Sequence, residues 1–320
     1  MTYSFGQIRN LQLDDILKVL ERHAIVFTLS GTARRSDIFH PASLRSPLQR
    51  GLYFISGQRR APDGLTDAAL VVDEDYPRDA FNLLIRVANP QVAYYRILSD
   101  LLSPKVTPGI HPTAVVSPEA QIDKTAYIGP HCTIEAAQIG AGCLIHASVT
   151  VMNGTRIGRD VTVEGSSVIG ATGAAWTWDA ANKCRIVQPQ LGFTEILDGT
   201  FLGSNVTIVR GSVSETTLIG RDVIMAHGTK IGHGTTIGDQ CHFANNVSIA
   251  GNVDIGPRCF VGSGAVVRPG VYVAEKTVIG AGAVVVGDTK GHGEVLTGVP
   301  AKPHVVSSGR LSGVPDISRM

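Results

Sequence analysis

The 320-residue sequence is poor in aromatic residues, has almost no net charge and contains no long apolar run. Aromatic residues make up 6% of it, and the formal net charge is +1. A nearly neutral chain gives no electrostatic reason to expect a nucleic acid or an anionic membrane as the main partner. No stretch approaches the roughly eighteen apolar residues of a membrane span, and the N-terminus lacks the pattern of a secretory signal. We therefore expect a cytoplasmic protein.

The five cysteines form no C-x-x-C pair, which argues against a zinc ribbon or dithiol chemistry. Cys132, Cys143, Cys241 and Cys259 each lie two residues before a large apolar residue, at positions that Ala, Thr or Val occupy elsewhere. A buried cysteine behaves as a small hydrophobic residue. We therefore predict that these four belong to the core and that only Cys184 lies outside it.

What the sequence has instead is a six-residue repeat. Twelve large apolar residues follow one another at intervals of six: Ile219, Met225, Ile231, Ile237, Phe243, Ile249, Ile255, Val261, Val267, Val273, Ile279 and Val285. This period fits neither an α-helix nor a simple alternating strand. It is typical of a β-solenoid, in which each short strand contributes one inward side chain before the chain turns a corner. With three hexads per coil, residues eighteen apart lie one above the other.

The repeat also divides the chain. The first hundred or so residues carry no hexads, and they contain two predicted helices (beginning at Leu13 and Pro90) and several predicted strands. The hexads begin at Ile110, slip by one residue between Ile134 and Ile139, and break completely at residues 171–193. The predicted parts are a small N-terminal α/β domain at residues 1–104, a solenoid at 105–300 with an inserted loop at 171–193, and a short tail at 301–320.

The inserted loop contains both tryptophans, Trp176 and Trp178. Regular coils do not need such an extrusion, and loops that leave a rigid scaffold often carry function. Two interpretations remain open at this point. The tryptophans either form a hydrophobic plug on a long surface loop or contact a ligand.

The histidine His233 is the strongest candidate for chemistry. It lies two residues after a predicted core position, between Gly232 and Gly234, so its imidazole stands on an uncrowded corner. The eighteen-residue stacking places Gly251 one coil above it, and a glycine leaves its backbone N–H open to a ligand. Acyl transfer needs a base that removes a proton from the nucleophile and a donor that holds the oxyanion. We predict that His233 is the general base and that the Gly251 amide is the oxyanion donor.

A metal site is not favoured. His227 and His233 are six residues apart, so they fall on different faces of one coil rather than on a common zinc site. The glycines follow the hexad register and form no phosphate loop or dinucleotide fingerprint. We predict no metal and no permanently bound cofactor.

Several segments carry a resemblance to a known family: VANPQVAYYRILSDLL, IHPTAVVSPEAQIDKTAYIGPHCTI, NVTIVRGSVSETTLIG and IGHGTTIGDQCHFANNVSIAG. In this order they resemble the UDP-3-O-acylglucosamine N-acyltransferases of lipid A synthesis (the LpxD type). The resemblance implies a left-handed parallel β-helix that works as a homotrimer, with active sites between subunits. It implies transfer of a 3-hydroxyacyl chain from acyl carrier protein to the amino group of a UDP-linked glucosamine. His233 and Gly251 fall on that family's catalytic histidine and oxyanion-binding glycine.

The resemblance also suggests substrate contacts. The family holds the uracil base against aromatic side chains of the N-terminal domain, and FISGQRR keeps one of these as Phe54 but has Arg60 at the last place of the pattern. An Asp-Asn pair of the family is replaced by Ala226 and His227. The predicted substrate-binding residues are Phe54, Arg60, Trp176, Trp178, His227 and Asn245.

Two alternatives remain open. The segment LTGVPAKPH resembles the end of coenzyme A-dependent sugar acetyltransferases. The protein would then be an N-acetyltransferase that uses acyl-CoA and another nucleotide-linked amino sugar. An alternative of a different class is a non-catalytic β-solenoid with a binding or structural role, which would favour flat repetitive faces without an interrupting loop.

Overall fold

The computed structural model describes residues 9–57, 61, 65, 67–77 and 83–303. Most of the predicted tail therefore lies outside the described residues. The chain divides into two compact units, Met1–Lys105 and Val106–Met320.

The first unit combines one six-stranded sheet with two helices. The helices are α1 (Leu13–Arg22) and α2 (Pro90–Leu102). In their order across the sheet, the strands are Leu11–Gln12, Ile38–Pro41, Gly51–Ile55, Ala68–Val72, Leu83–Val87 and Phe27–Gly31. The four central strands run parallel, and the two outer strands pair antiparallel with them.

The two helices begin where their sequences indicate. In α1, Ile16, Leu17 and Leu20 are buried at a spacing of three to four residues, which forms one apolar stripe against the core. Before α2, the Asn89 side chain accepts a hydrogen bond from the Val92 N–H at 3.1 Å, and Pro90 occupies the first turn. Among the described residues, neither these helices nor any other is long and apolar enough to cross a membrane.

The second unit is a parallel β-solenoid with three faces. The first face contains Gly109–Ile110, Tyr127–Ile128, Leu144–Ile145, Thr162–Val163, Phe201–Leu202, Ile224–Met225, His242–Phe243, Phe260–Val261, Val278–Ile279, Val295–Thr297 and Lys302–Pro303. The second face contains Val115–Val116, Thr133–Ile134, Thr150–Val151, Val168–Ala171, Thr207–Val209, Lys230–Ile231, Ser248–Ile249, Val266–Val267 and Val284–Val285. The third face contains Gln121–Ile122, Gln138–Ile139, Thr155–Ile157, Phe193–Ile196, Thr216–Ile219, Thr236–Ile237, Asp254–Ile255 and Tyr272–Val273.

The predicted stacking of the coils is confirmed. Ile231 pairs with Ile249, and Ile249 pairs with Val267, in steps of eighteen residues. The large apolar residue of each hexad points inward, and all twelve residues of the long run are at most 2% exposed. At Gly232 an added Cβ would lie 2.5 Å from backbone atoms of the next coil, so the corner has no room for a side chain there. The coils therefore stack at strand spacing because small residues line the corners.

Inward threonines and cysteines connect each coil to the next. The Thr235 hydroxyl donates to the Ala250 carbonyl at 2.9 Å, and the Cys143 and Cys241 thiols donate to carbonyls that are also fifteen residues ahead, at 3.0 and 3.2 Å. The four cysteines predicted for the core are buried, and Cys184 is exposed. We call this series of bonds the inward ladder.

Candidate functional site

Both large departures from the hexad register occur at one corner of the solenoid. This corner joins the second face to the third, and its segments are residues 152–154, 172–192, 210–215, 232–235 and 250–253; we call it the insertion corner. Residues 172–192 form a long insertion, and Ile208 and Ile219 are eleven residues apart instead of six. The two insertions lie on successive coils, directly before the coil of His233.

The long insertion folds as a β-hairpin rather than an irregular loop. Trp176–Asp179 pairs antiparallel with Cys184–Val187. Trp176 and Trp178 are two residues apart, so they lie on one side of the hairpin. They are 60% and 58% exposed. Neither indole is buried against the described residues, and both remain accessible to a ligand.

The imidazole of His233 lies directly against Gly251. A Cβ added to Gly251 would lie 2.5 Å from Nε2 of His233 and 2.9 Å from two ring carbons. The Nδ1 atom of His233 is buried and has no hydrogen-bond partner among the described residues. The coil geometry thus places a basic ring nitrogen beside the backbone of the next coil. Any side chain at position 251 would displace that ring.

The Gly251 N–H has no hydrogen-bond partner among the described residues. Its neighbours Ala250 and Asn252 donate their N–H groups to Val267 and His233 at 3.0 and 2.7 Å. An unpaired amide next to an imidazole can hold a developing oxyanion while the imidazole takes a proton. These two groups are the pair that the eighteen-residue stacking predicts.

Arg210 stabilises the corner from the preceding coil, where it occupies the position equivalent to His233 because Ile208 pairs with Ile231. Its side chain is only 8% exposed. Its guanidinium donates to the Gly170 carbonyl at 3.0 Å and to the carbonyl and side-chain oxygens of Asn153 at 2.6 and 2.7 Å. Arg210 therefore joins three successive coils at the base of the hairpin. The hexad pattern gave no indication of this role.

The inward ladder is broken at the same place. Thr155 would reach the Gly170 carbonyl by the fifteen-residue rule, but Arg210 occupies that acceptor. The hydroxyls of Thr155 and Thr194 are buried without a partner among the described residues. Both line a surface cavity of about 390 Å³ beside the exposed ring of Phe193. The insertions thus replace part of the regular hydrogen bonding with an open, partly polar surface.

His227 and Asn245 lie at a different corner, which joins the first face to the second. Nδ1 of His227 accepts the Ser204 N–H at 2.9 Å, so its other ring nitrogen carries the proton of the neutral ring. Asn245 is exposed one coil further on. Within one chain, these two predicted contacts are therefore separated from His233 by a strand of the second face.

Phe54 lies in the first unit, at a cavity of about 550 Å³ that is also lined by Leu44, Arg45 and Tyr94. The ring of Phe54 is 5.2 Å from the ring of Tyr94 and 5.9 Å from that of Tyr95, measured between centroids. The cavity lies at the carboxyl ends of two parallel strands, where open α/β sheets commonly bind ligands. Arg60, the other predicted nucleotide contact, lies outside the described residues.

The described residues contain no cluster of three or more His, Cys, Asp or Glu side chains that could hold a metal ion.

Comparison with known proteins supports this description of the solenoid. Residues 136–171 and 252–287 match the bacterial transferase hexapeptide family of six repeats. The UDP-3-O-acylglucosamine N-acyltransferase of Coxiella burnetii is 32% identical over 192 residues, which cover 52% of this chain and 55% of that protein. The enzyme of the same name from Pseudomonas entomophila is 32% identical over 187 residues, 52% of each chain. The chain thus matches about half the length of these curated relatives, and the predicted resemblance is confirmed.

A solved structure extends the comparison to the fold. The UDP-N-acetylglucosamine O-acyltransferase of Moraxella catarrhalis superposes with a TM-score of 0.56 at 28% identity, over 61% of this chain and 73% of that one. The predicted fold class is thereby confirmed as a mainly β, left-handed parallel β-helix. The relatives include enzymes named for N-acyl and for O-acyl transfer.

Proposed function

We propose that the protein is an N-acyltransferase that moves an acyl group from a thioester to the amino group of a nucleotide-linked amino sugar. The single observation that carries the proposal is the contact between the His233 imidazole and Gly251, whose N–H is free among the described residues. The named N-acyltransferases to which the chain is similar favour an amine acceptor.

The reaction needs no covalent enzyme intermediate. The amine nitrogen attacks the thioester carbonyl carbon while His233 removes a proton from that nitrogen. The Gly251 N–H donates a hydrogen bond to the oxyanion of the tetrahedral intermediate. The C–S bond then breaks, the imidazolium returns its proton to the sulfur, and an amide and a free thiol leave. General base and oxyanion donor each contribute about a hundredfold or more to such a rate.

The names of the relatives suggest the substrates. We place a UDP-3-O-acylglucosamine-like acceptor in this reaction, within lipid A synthesis, and an acyl carrier protein thioester as the donor. Phe54 is assigned to the nucleotide base, because an aromatic ring beside a cavity at strand ends suits a flat heterocycle. The exposed Trp176 and Trp178 are assigned to the acceptor. A cytoplasmic homotrimer completes the proposal.

A screen of donors against acceptors tests the reaction. Purified full-length protein is mixed with 3-hydroxyacyl carrier protein or acetyl-CoA and with UDP-, GDP- or dTDP-linked amino sugars, and products are identified by mass spectrometry. An N-acylated UDP-amino sugar formed from the carrier protein donor is the expected product. Acetylation from coenzyme A alone would favour the acetyltransferase instead, and binding of a nucleotide sugar without any product would favour a non-catalytic solenoid.

A further inference from the structure

A carboxylate reaches the corner of His233 from the second insertion. Oε2 of Glu215 lies 3.0 Å from the position that a Cβ on Gly234 would occupy. Gly234 has a φ of +64° and donates its N–H to the Thr217 hydroxyl at 2.9 Å, so its place in the turn is fixed. Leu218 pairs with Thr236, eighteen residues ahead, so the register of the third face places Glu215 one coil before His233 and beside the residue that follows it.

The Glu215 carboxylate is exposed and mostly unsatisfied. Its one hydrogen bond to a described residue comes from the Ser212 N–H, at 3.2 Å to Oε2, and no described cation pairs with it. Glu275 offers a contrast within the same solenoid, because Arg258, Lys276 and His292 surround it at 2.9, 3.6 and 3.8 Å. Glu215 therefore retains acceptor capacity and negative charge that the chain itself does not use.

We infer that Glu215 is a specificity residue that binds the ammonium form of the acceptor next to His233, and so selects an amine over a hydroxyl. The inference rests on the proposed function. The bound R–NH3+ releases one proton to solvent, and the neutral amine then attacks the thioester carbon. His233 takes the second proton and passes it to the departing sulfur, so that an amide and a thiol are formed.

The carboxylate of Glu215 favours an amine acceptor over a hydroxyl for an electrostatic reason. An amine of this kind, like an α-amino group, has a pKa near about 8, so much of it is cationic at neutral pH. A hydrogen bond between charged groups stabilises a complex more than one between neutral groups. A hydroxyl acceptor gains no comparable interaction. The relatives include both N- and O-acyltransferases, so an enzyme of this kind needs a residue that distinguishes an amine acceptor from a hydroxyl acceptor.

Binding of two matched ligands tests the role. UDP-glucosamine and UDP-glucose differ at the sugar C2, which carries an amine in one and a hydroxyl in the other. Titration calorimetry on the full-length protein measures the Kd of each for wild type, Glu215→Gln, Glu215→Asp and the control Glu119→Gln. Glu119 is an exposed carboxylate on an early coil.

Glu215→Gln should weaken UDP-glucosamine binding about tenfold, in line with a lost hydrogen bond to a charged group, and leave UDP-glucose within about twofold. Glu215→Asp should restore part of the preference, and Glu119→Gln should match wild type. The wild-type preference for the amine should also diminish as the pH rises above the pKa of the amine.

Equal weakening of both ligands, or an unchanged amine preference in Glu215→Gln, would overturn the assignment of Glu215. Equal losses of turnover on amine and hydroxyl acceptors would instead indicate that Glu215 positions the imidazole. If wild type transfers an acyl group to no amino sugar, the proposed function fails, while the two binding constants still decide the role of Glu215.

Discussion

The regular coils and the interrupted coils of the solenoid solve the same packing problem differently. From Thr217 to Val286 every hexad is complete, and threonine and cysteine side chains connect the coils through the inward ladder. In this stretch the Thr277 hydroxyl is the one buried hydroxyl without a partner among the described residues. In the coils between Thr155 and Thr194 two hydroxyls of that ladder have no described partner, and Arg210 takes over an acceptor.

The difference shows how a repetitive scaffold acquires a site. A regular coil connects most of its inward hydroxyls and thiols to the next coil. An inserted segment breaks that pattern and needs a separate group, here the Arg210 guanidinium, to satisfy the carbonyls it disturbs. The turn at residues 210–215 ends in Glu215, whose carboxylate lies beside the residue that follows His233.

The largest effect on the reaction rate is expected for His233, on the coil that follows the two insertions. Replacing His233 with Ala should lower the acyl-transfer rate by about a hundredfold or more, because the general base is lost. The thermal unfolding midpoint should not change, since His233 is only partly buried and Nδ1 has no partner among the described residues. The control His146→Ala should retain full activity. A near-normal rate in His233→Ala would refute the catalytic assignment.

A substitution of Arg210 measures how much this side chain stabilises the interrupted coils. Arg210→Ala leaves the carbonyls of Asn153 and Gly170 without their donor, so it should reduce the free energy of unfolding by about 2–4 kcal/mol. Urea denaturation measures this. The exposed Arg268→Ala on a regular coil should change it by less than about 0.5 kcal/mol. Equal values for the two variants would mean that Arg210 does not stabilise the corner.

Gly251 and Gly287 occupy equivalent positions just after strands of the second face. Comparing their alanine variants separates an effect on catalysis from an effect on folding. In Gly251→Ala the new Cβ would lie 2.5 Å from Nε2, so the imidazole must move, and the rate should fall by about a hundredfold. Gly287 has the same register position two coils later and open space around it, so Gly287→Ala should be neutral. A steady-state assay on both variants gives the answer, and equal rates would disprove the close contact.

The smallest expected effect is in thiol labelling, which compares the reactivity of the hairpin cysteine with that of the core cysteines. Burial raises the pKa of the Cys143 thiol to about 11 and also raises the pKa of Cys132. A raised pKa leaves less of the reactive thiolate at pH 8. Cys241 and Cys259 are also buried and so lie out of reach of the reagent. Ellman's reagent should modify only the exposed Cys184 of the native chain and all five thiols after denaturation. Rapid labelling of more than one native thiol would contradict the tight core.

The sequence alone predicted the structural features that follow from the six-residue repeat. The register of Ile231 and Ile249 was enough to place His233 beneath Gly251, and the apolar stripe of Leu13–Arg22 was enough to predict a helix. Both predictions depend only on the spacing of residues along the chain, which can be seen without knowing any distant contact.

Features that lie outside the period could not be predicted. For Glu215 the period gives the position, one coil before His233, since Leu218 pairs with Thr236. The path of the long turn that precedes it depends on contacts with the hairpin root, where the Leu191 and Gly192 N–H groups donate to the Ser212 carbonyl at 2.7 and 3.0 Å. Arg210 likewise has no signature until Asn153 and Gly170 are brought beside it. The roles of Phe54, Trp176 and Trp178 remain predictions.

A double-mutant cycle on His233 and Gly251 tests most directly whether the imidazole and the bare amide form one site. Rates of acyl transfer are measured for wild type, His233→Ala, Gly251→Ala and the double variant. Because Gly251→Ala acts by displacing the ring, it should have little further effect once the ring is gone, so the double variant should be within about threefold of His233→Ala. If the two losses instead multiply, the two groups act independently, and the proposed site is wrong.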